Sequence, residues 1–329
     1  MPERWELRQM QSLPLAAKVS MTESRIREWV TEYGEDGVYV SFSGGKDSTV
    51  LLDIVRRMYS GIEAVFVNTG LEYPEIQQFV KTFDNVTILR PKMRFDDVIK
   101  KYGYPVISKD VSSKIYYARK GRDWAMRYVD GTAKMNNANK SRFCVEKYKL
   151  LLQTDFMCAD ACCAVMKKSP AKTFARKTGK KPITAQMAAE SKQRTTQWML
   201  KGCNAFESKN PISNPMSFWT EQDVLQYIKQ NGIPIASVYG DIVYKDDGKL
   251  YTTGCNRTGC IFCAFGCHLE KEPSRFQRLK QTHPRQYEYC IGGGGYDEDG
   301  IWRPSNDGLG MGHVFDELNK LYGDGFIKY

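Results

Sequence analysis

The sequence predicts an α/β fold, a parallel sheet flanked by helices, followed by a C-terminal region rich in cysteine and glycine. Three observations carry the prediction. Short apolar runs at residues 38–42, 64–67 and 86–89 alternate with stretches of helical periodicity, the pattern of parallel sheets whose crossovers are helices. A glycine turn, Ser43-Gly44-Gly45-Lys46-Asp47-Ser48, separates the first run from the helix after it. Four cysteines crowd into residues 255–267, among glycines and with little apolar periodicity.

Taken in order, residues 1–36 read as a helical segment, with Ile26, Val30 and Tyr33 at helical spacing. The nucleotide-binding domain is expected over 37–238. Its first strand, 38–42, leads through the glycine turn into a helix over 49–59, whose inner side carries Val50, Leu51, Ile54, Val55 and Met58. A strand at 64–67 precedes a helix around 75–83, and a strand at 86–89 precedes one around 96–102. Between 111 and 143 the pattern loosens into a stretch dense in Lys, Arg and Asn, read as a basic insertion, partly helical and mobile, with the character of a lid. Order resumes at 147–152, and a helix opening near Cys163 and a strand at 182–184 follow. The segment 220–231 is amphipathic, with Thr220 as cap, Asp223 three residues on, and Val224, Leu225 and Ile228 as the apolar face. Beyond Tyr239 periodicity fades, and 239–329 is expected as a Cys/Gly-rich C-terminal region.

Composition narrows the chemistry. The 329 residues carry 42% hydrophobic and 26% charged side chains, as soluble globular proteins do. No apolar run is long enough to span a bilayer, and the first residues lack a basic stretch leading into an apolar core, so a cytoplasmic protein with no membrane partner is expected. Ten cysteines in a reducing compartment point to metal or redox chemistry rather than disulfides. With only three histidines, His268, His283 and His313, a His-rich zinc enzyme is disfavoured. A net charge of +10 suits an anionic partner, either a phosphorylated small molecule or a nucleic acid.

A strand, glycine turn and helix start together offer backbone N–H groups and a positive helix end to a phosphate. The two glycines permit close approach, and the hydroxyls of Ser43 and Ser48 add donors. The spacing is neither that of the Walker loop nor that of the dinucleotide fingerprint. The hexapeptide resembles the signature of PP-loop ATP pyrophosphatases. A wider match resembles the phosphoadenosine phosphosulfate (PAPS) reductase branch of that superfamily, whose fold is adenine nucleotide alpha-hydrolase-like and Rossmann-like. It runs through Asn68-Thr69-Gly70-Leu71-Glu72-Tyr73-Pro74-Glu75, Glu190-Ser191 with Arg194, and Asn210-Pro211-Ile212 onward through Trp219-Thr220, Asp223-Val224, Pro234 and Tyr239. The resemblance implies an adenine nucleotide, ATP or adenylyl sulfate, with Mg²⁺. Ser41, Ser43, Gly44, Gly45, Lys46, Asp47, Ser48, Asn68, Thr69, Gly70, Glu190 and Ser191 would bind it, and Lys46, Asp47 and Arg194 would act on its phosphates or sulfate.

The cysteines leave two metals open. Cys260-x-x-Cys263 brings two thiolates together from one loop, and Cys162-Cys163 opens a helix ahead of Lys167 and Lys168. Zinc would be satisfied locally by Cys255, Cys260, Cys263 and Cys267. A 4Fe-4S cluster would instead combine Cys162, Cys163, Cys260 and Cys263, an arrangement that resembles adenylyl-sulfate reductases. Lys167, Lys168 and Arg257 would offset its charge. The isolated Cys144, Cys158, Cys203 and Cys290 read as plain buried residues.

The pattern of those reductases also breaks. Their C-terminal Glu-Cys-Gly-Leu/Ile-His element is absent, Cys290 lying in Tyr289-Cys290-Ile291-Gly292, and Ala185-Gln186-Met187 replaces their Gly-x-Arg. The phosphate loop, by contrast, is intact, as in ATP users. Three readings follow. The first is ATP cleavage between the α- and β-phosphates coupled to sulfur transfer, with a tRNA or DNA acceptor met by the basic insertion and a reductant or sulfur-donor protein as partner. The second is sulfonucleotide reduction with Cys290 as nucleophile. The third is a non-catalytic nucleotide-binding module with a structural metal.

Overall fold

The apolar strands find one another in a computed structural model that describes residues 3–135 and 139–329. Two compact units emerge, each assembled from separated stretches of chain. The first comprises Met1–Asn68, Glu72–Arg90 and Pro170–Thr258; the second comprises Thr69–Leu71, Pro91–Ser169 and Gly259–Tyr329. Neither coincides with a linear segment, and the Cys/Gly-rich region is divided between Thr258 and Gly259.

The first unit is built on a six-stranded sheet. From one edge the order is Val86–Leu89, Ala64–Val67, Val38–Ser41, Lys181–Ile183, Ile212–Ser213 and Asn204–Ala205. Every neighbouring pair is parallel except the last. Val38, Val40, Ala64, Val65 and Phe66 are buried, as strands covered on both faces must be. Lys46–Met58 is one crossover helix, burying Val50, Leu51, Leu52, Ile54 and Val55. Pro74–Val80 is the next, and proline suits its first turn. Val38–Ser41 has the following strand on one side and the later Lys181–Ile183 on the other. The connection therefore changes direction there, and the crevice at the carboxyl ends beside such a point is where open α/β sheets bind ligands.

Leu15–Tyr33 buries Ile26, Trp29 and Val30, and Glu221–Asn231 begins with the expected capping box of Thr220 and Asp223. A feature invisible to pattern reading joins them. Lys18, 2% exposed, donates to both Asp223 carboxylate oxygens at 2.8 and 2.7 Å and to the Gln11 carbonyl at 2.7 Å.

The second unit is mainly helical. Phe95–Tyr102, Lys109–Arg119 and Asp123–Val129 precede a 3₁₀ turn at Glu146–Leu152. Ala161–Cys163 runs into a π-helical stretch, Ala164–Lys168. The tail adds Arg275–Thr282, Pro284–Ile291 and Met311–Tyr322, none of them anticipated. The spacing of Met311, Val314, Phe315 and Leu318, all buried, is nevertheless the helical one.

The partly helical character expected of 111–143 is present. Two helices occupy most of it, packed through Val111, Ile115, Ala118, Ala125 and Val129; residues 136–138 lie outside the described structure. Lys114 is buried, donating to Asp110 and to the Phe143 carbonyl at 2.7 Å. Arg119 bonds the Phe156 and Thr154 carbonyls. Both cations hold the unit together instead of facing a partner. Among the described residues no helix is long and apolar enough to cross a membrane.

Candidate functional site

Ser43–Ser48 lies at the carboxyl end of the central strand, as expected, and its internal bonds define a tight cradle. The Ser43 N–H donates to Ser48 Oγ at 3.1 Å, the Gly45 N–H to Ser43 Oγ at 3.3 Å, and Ser48 Oγ to the Gly45 carbonyl at 2.9 Å. Gly45 stands at the cap position of Lys46–Met58, and no side chain caps that helix, so its positive end is available to an anion.

The two glycines have different reasons to be there. Gly44 has φ +70°, and a Cβ on it would come within 2.7 Å of Val80 Cγ2 and 2.8 Å of Ile76 Cγ2. Gly45 has φ −78°, and a Cβ there would meet Tyr239 OH, Ser43 Oγ and Thr258 Oγ1 at 3.2–3.4 Å. Gly44 therefore serves backbone conformation and packing, while Gly45 keeps the polar mouth of the loop clear. Gly44→Ala is expected to lower unfolding stability by about 1–3 kcal/mol, measured by urea denaturation. Gly45→Ala is expected to leave stability near that of the parent and weaken nucleotide binding, measured by titration calorimetry with Mg-ATP. Equal stability losses in the two variants would remove the distinction.

Lys46 is buried, and its Nζ donates to the Asn256 carbonyl at 2.9 Å while lying 3.2 Å from Glu221 and 3.5 Å from Asp47 Oδ1. Its backbone N–H donates to Tyr239 OH at 3.1 Å, which in turn lies 2.7 Å from Thr258 Oγ1. Burial raises the Tyr239 phenol above its ordinary value, with Thr258 and Lys46 opposing. Asp47 Oδ1 is a buried acceptor with no hydrogen-bond partner among the described residues.

Glu190 is the centre of a charge cluster. It pairs with both Arg194 and Arg257 and accepts the Met187 N–H at 3.1 Å. Ser191 caps the helix Lys192–Lys201 by accepting the Arg194 N–H at 3.2 Å. Burial and Arg257 push the Arg194 guanidinium down, and the Asp47 carboxylate opposes them, so the loop and Arg194 lie within electrostatic reach. Arg194 also lines a cavity of about 220 Å³ with Gln186, Met187, Trp198, Asn214 and Ser217. Arg257, expected beside the cysteines, belongs to the first unit and pairs with Glu190. Ser41 ends its strand and the Asn68 N–H bonds the Leu89 carbonyl at 2.8 Å. Thr69 and Gly70 belong to the second unit, where Thr69 Oγ1 accepts the Leu71 N–H at 3.2 Å. Tyr239, Glu221, Asn256 and Thr258 do not stand out as site residues in the sequence, although Tyr239 falls within the wider motif.

In the second unit, Cys162, Cys163, Cys260 and Cys263 are all half-buried. The parallel pair Val106–Ile107 and Ala264–Phe265 carries the Cys260–Cys263 turn, with the Ile261 N–H bonded to the Leu71 carbonyl at 2.8 Å. Ile107 has φ +61°, a strained conformation for a β-branched residue. The Cys163 thiol is pushed down by its hydrogen bond with Cys162 and by Lys109 and Lys167. That bond and burial push Cys162 up, together with the charges of Cys163, Cys263 and Cys260. The two cysteine pairs thus sense each other.

They do not form an ion site: among the described residues no three His, Cys, Asp or Glu side chains converge on one metal ion. A single zinc needs its thiolates about 2.3 Å away, and Cys267 of the local zinc set is buried with its thiol on the Ala264 carbonyl at 3.0 Å. A four-iron cluster spreads its thiolates over the corners of a cube several Å across, so the donor chemistry of the two pairs remains suited to it. Cys290 is wholly buried, its thiol raised by burial and set against Met311 Sδ at 3.5 Å. A nucleophile needs access to its substrate, and Cys290 has none.

The chain matches the family model described as the phosphoadenosine phosphosulfate reductase domain over residues 37–113 and 125–265. It is 24% identical over 283 residues to an uncharacterized protein of Methanocaldococcus jannaschii, the match covering 81% of this chain and 51% of that protein. The chain thus spans about half the length of that relative. Phosphoadenosine 5'-phosphosulfate reductase of Xylella fastidiosa is 22% identical over 244 residues, 74% of this chain and 84% of that one. The enzyme of the same name from Proteus mirabilis is 22% identical over 253 residues, covering 77% and 82%. A crystal structure of phosphoadenylyl-sulfate reductase from Candida auris, a phosphate complex, aligns at a TM-score of 0.39 and 15% identity, over 72% of this chain and 91% of that one.

Proposed function

Given that the chain belongs to the phosphoadenosine phosphosulfate reductase domain family, we propose that it is an enzyme that cleaves ATP between its α- and β-phosphates to activate an acceptor for sulfur transfer. A nucleophilic oxygen of the acceptor attacks the α-phosphorus, the bond to the β-phosphate oxygen breaks, and pyrophosphate leaves with its electron pair. Sulfide-level sulfur, handed over as hydrosulfide by a donor protein, then attacks the activated acceptor carbon, the carbon–oxygen bond breaks, and AMP leaves with its electron pair.

The observation that carries this reading is the buried Asp47 Oδ1 beside an uncapped helix start: it accepts no hydrogen bond among the described residues and lies 3.5 Å from the Lys46 ammonium. A buried carboxylate oxygen without a donor is unfavourable, and it suits a hard cation bridging to phosphates, as Mg²⁺ is commonly held. Bound Mg²⁺ would supply charge neutralisation on the phosphate oxygens. Gly45 keeps the mouth of the loop open, Lys46 brings a positive charge next to Asp47, and the Tyr239 hydroxyl meets the first helical N–H. Arg194, held by Glu190, is near enough to Asp47 to face the same phosphates. A 4Fe-4S cluster, held by Cys162, Cys163, Cys260 and Cys263, would supply electrons or a site for sulfur; the donor set supports it, while no mononuclear ion site among the described residues supports zinc.

The burial of Cys290 weighs against the reductase reading built on it. In an anaerobic preparation, pyrophosphate is expected to appear with Mg-ATP in the presence of an acceptor. Cys290→Ala is expected to keep that activity and to lower thermal stability, since it empties part of a packed core. Sulfite released from adenylyl sulfate, and lost in Cys290→Ala, would overturn the proposal in favour of reduction. Tight binding of both nucleotides without turnover would leave only a binding module.

A further inference from the structure

The segment Lys109–Lys149 concentrates the charge of the chain. It holds eleven Lys and Arg against four Asp and Glu, a net +7 of the whole chain's +10. Part of that charge is internal, on Lys114 and Arg119. What remains outside is organised around aromatic rings. At the turn between Lys109–Arg119 and Asp123–Val129, Tyr117 and Trp124 are 40% and 46% exposed, with ring centres 5.4 Å apart. Tyr116 extends the row at 5.4 Å from Tyr117, and Tyr128 extends it at 6.4 Å from Trp124. Lys120 Nζ lies 4.5 Å from the Tyr116 ring. Exposed Lys120, Arg122 and Arg127 make no ion pair among the described residues.

Two adjoining exposed rings, Tyr117 and Trp124, flanked by the half-buried Tyr116 and Tyr128, are poorly explained by folding, because burying them would stabilise the unit more than exposing them. Cations alone would suit any polyanion. Rings interleaved with cations suit unpaired bases, whose faces stack on the rings while the backbone lies along the charges. In a duplex those faces are already stacked, so a double helix would use the cations and leave the rings bare.

We propose that the Tyr116–Tyr128 turn is a stacking platform for a single-stranded nucleic acid segment. In catalysis it would present the acceptor of the sulfur, a role that rests on the function proposed above. The affinity does not, because it is measured without ATP and so fails separately from pyrophosphate release.

The test is Trp124 fluorescence and anisotropy of the full chain with labelled oligo(dT) and oligo(U) of about 16 nucleotides, within the range of known single-strand sites, against a duplex of equal length. Single strands are expected to bind more tightly than duplex. Tyr117→Ala with Trp124→Ala is expected to weaken single-strand binding about tenfold or more while leaving the salt dependence in place. Lys120→Ala with Arg122→Ala is expected to flatten the salt dependence by roughly 0.7 for each phosphate that is no longer neutralised. All four side chains reach the surface, and circular dichroism of each variant verifies its fold. Equal affinity for duplex and single strand would overturn the proposal. So would unchanged binding in the aromatic variant, or equal competition by polyglutamate, which would make the surface a general polyanion or acidic-protein site.

Discussion

Asp47→Asn is expected to abolish most Mg-dependent pyrophosphate release while the protein stays folded. The change keeps the shape of the side chain and removes its charge, so it leaves the helix Lys46–Met58 in place. It replaces a buried oxygen that lacks a donor with an amide that cannot hold a divalent cation with comparable strength. Losing one preorganised charge at a reacting phosphate lowers rates on the order of 10²–10³-fold. The measurement is pyrophosphate release as a function of Mg²⁺ concentration, with thermal melting as control. A residual rate that recovers at high Mg²⁺ would support a weakened cation site. A full rate at ordinary Mg²⁺ would remove Asp47 from the chemistry and with it the main support for ATP cleavage.

Asp223→Ala is expected to be the most damaging single change to the first unit. It would strand the Lys18 ammonium, which is 2% exposed, and breaking a buried pair from one side costs about 3–5 kcal/mol. It would also remove the acceptor of the Thr220 N–H and hydroxyl, both at 2.7 Å, undoing the capping box. Replacing both partners, as Lys18→Met with Asp223→Leu, is expected to recover much of the loss, because no uncompensated charge then remains. Thermal unfolding of the single and double variants reads this directly. The helix start so weakened also carries Glu221, 3.2 Å from Lys46 Nζ, so the KM for ATP is expected to rise in Asp223→Ala. A single variant as stable as the parent would show that the pair is idle.

Local signals in the sequence were reliable where one segment decides its own structure. The buried strands, the loop between strand and helix, and the capping box at Thr220 all depend on neighbours within a few residues, and all were legible. The partners of Lys46 were not, because Tyr239, Glu221 and Asn256 reach it only through the fold. The helices of the tail escaped notice although Met311, Val314, Phe315 and Leu318 keep helical spacing; glycines and aromatics on either side masked it. The basic stretch misled in another way. Lys and Arg were read as solvent-facing charge, yet Lys114 and Arg119 sit against backbone carbonyls, and the informative residues there were the aromatics. For the cysteines, sequence divided Cys162 and Cys163 from Cys260 and Cys263 at residue 239, whereas both pairs belong to the second unit, because that unit is assembled from separated stretches of chain.

The interleaving of the two units has a consequence for synthesis. The central strand Val38–Ser41 leaves the ribosome early, but its neighbour Lys181–Ile183 follows only after most of the second unit's first half. The second unit in turn waits for residues beyond Gly259. A nascent chain would therefore display a half-paired strand edge for much of its translation, a state open to wrong partners. Folding is expected to be slow and largely post-translational, as long-range parallel pairing requires. Attempts to express either unit as a simple truncation would remove strands or helices that the other half of the gene encodes.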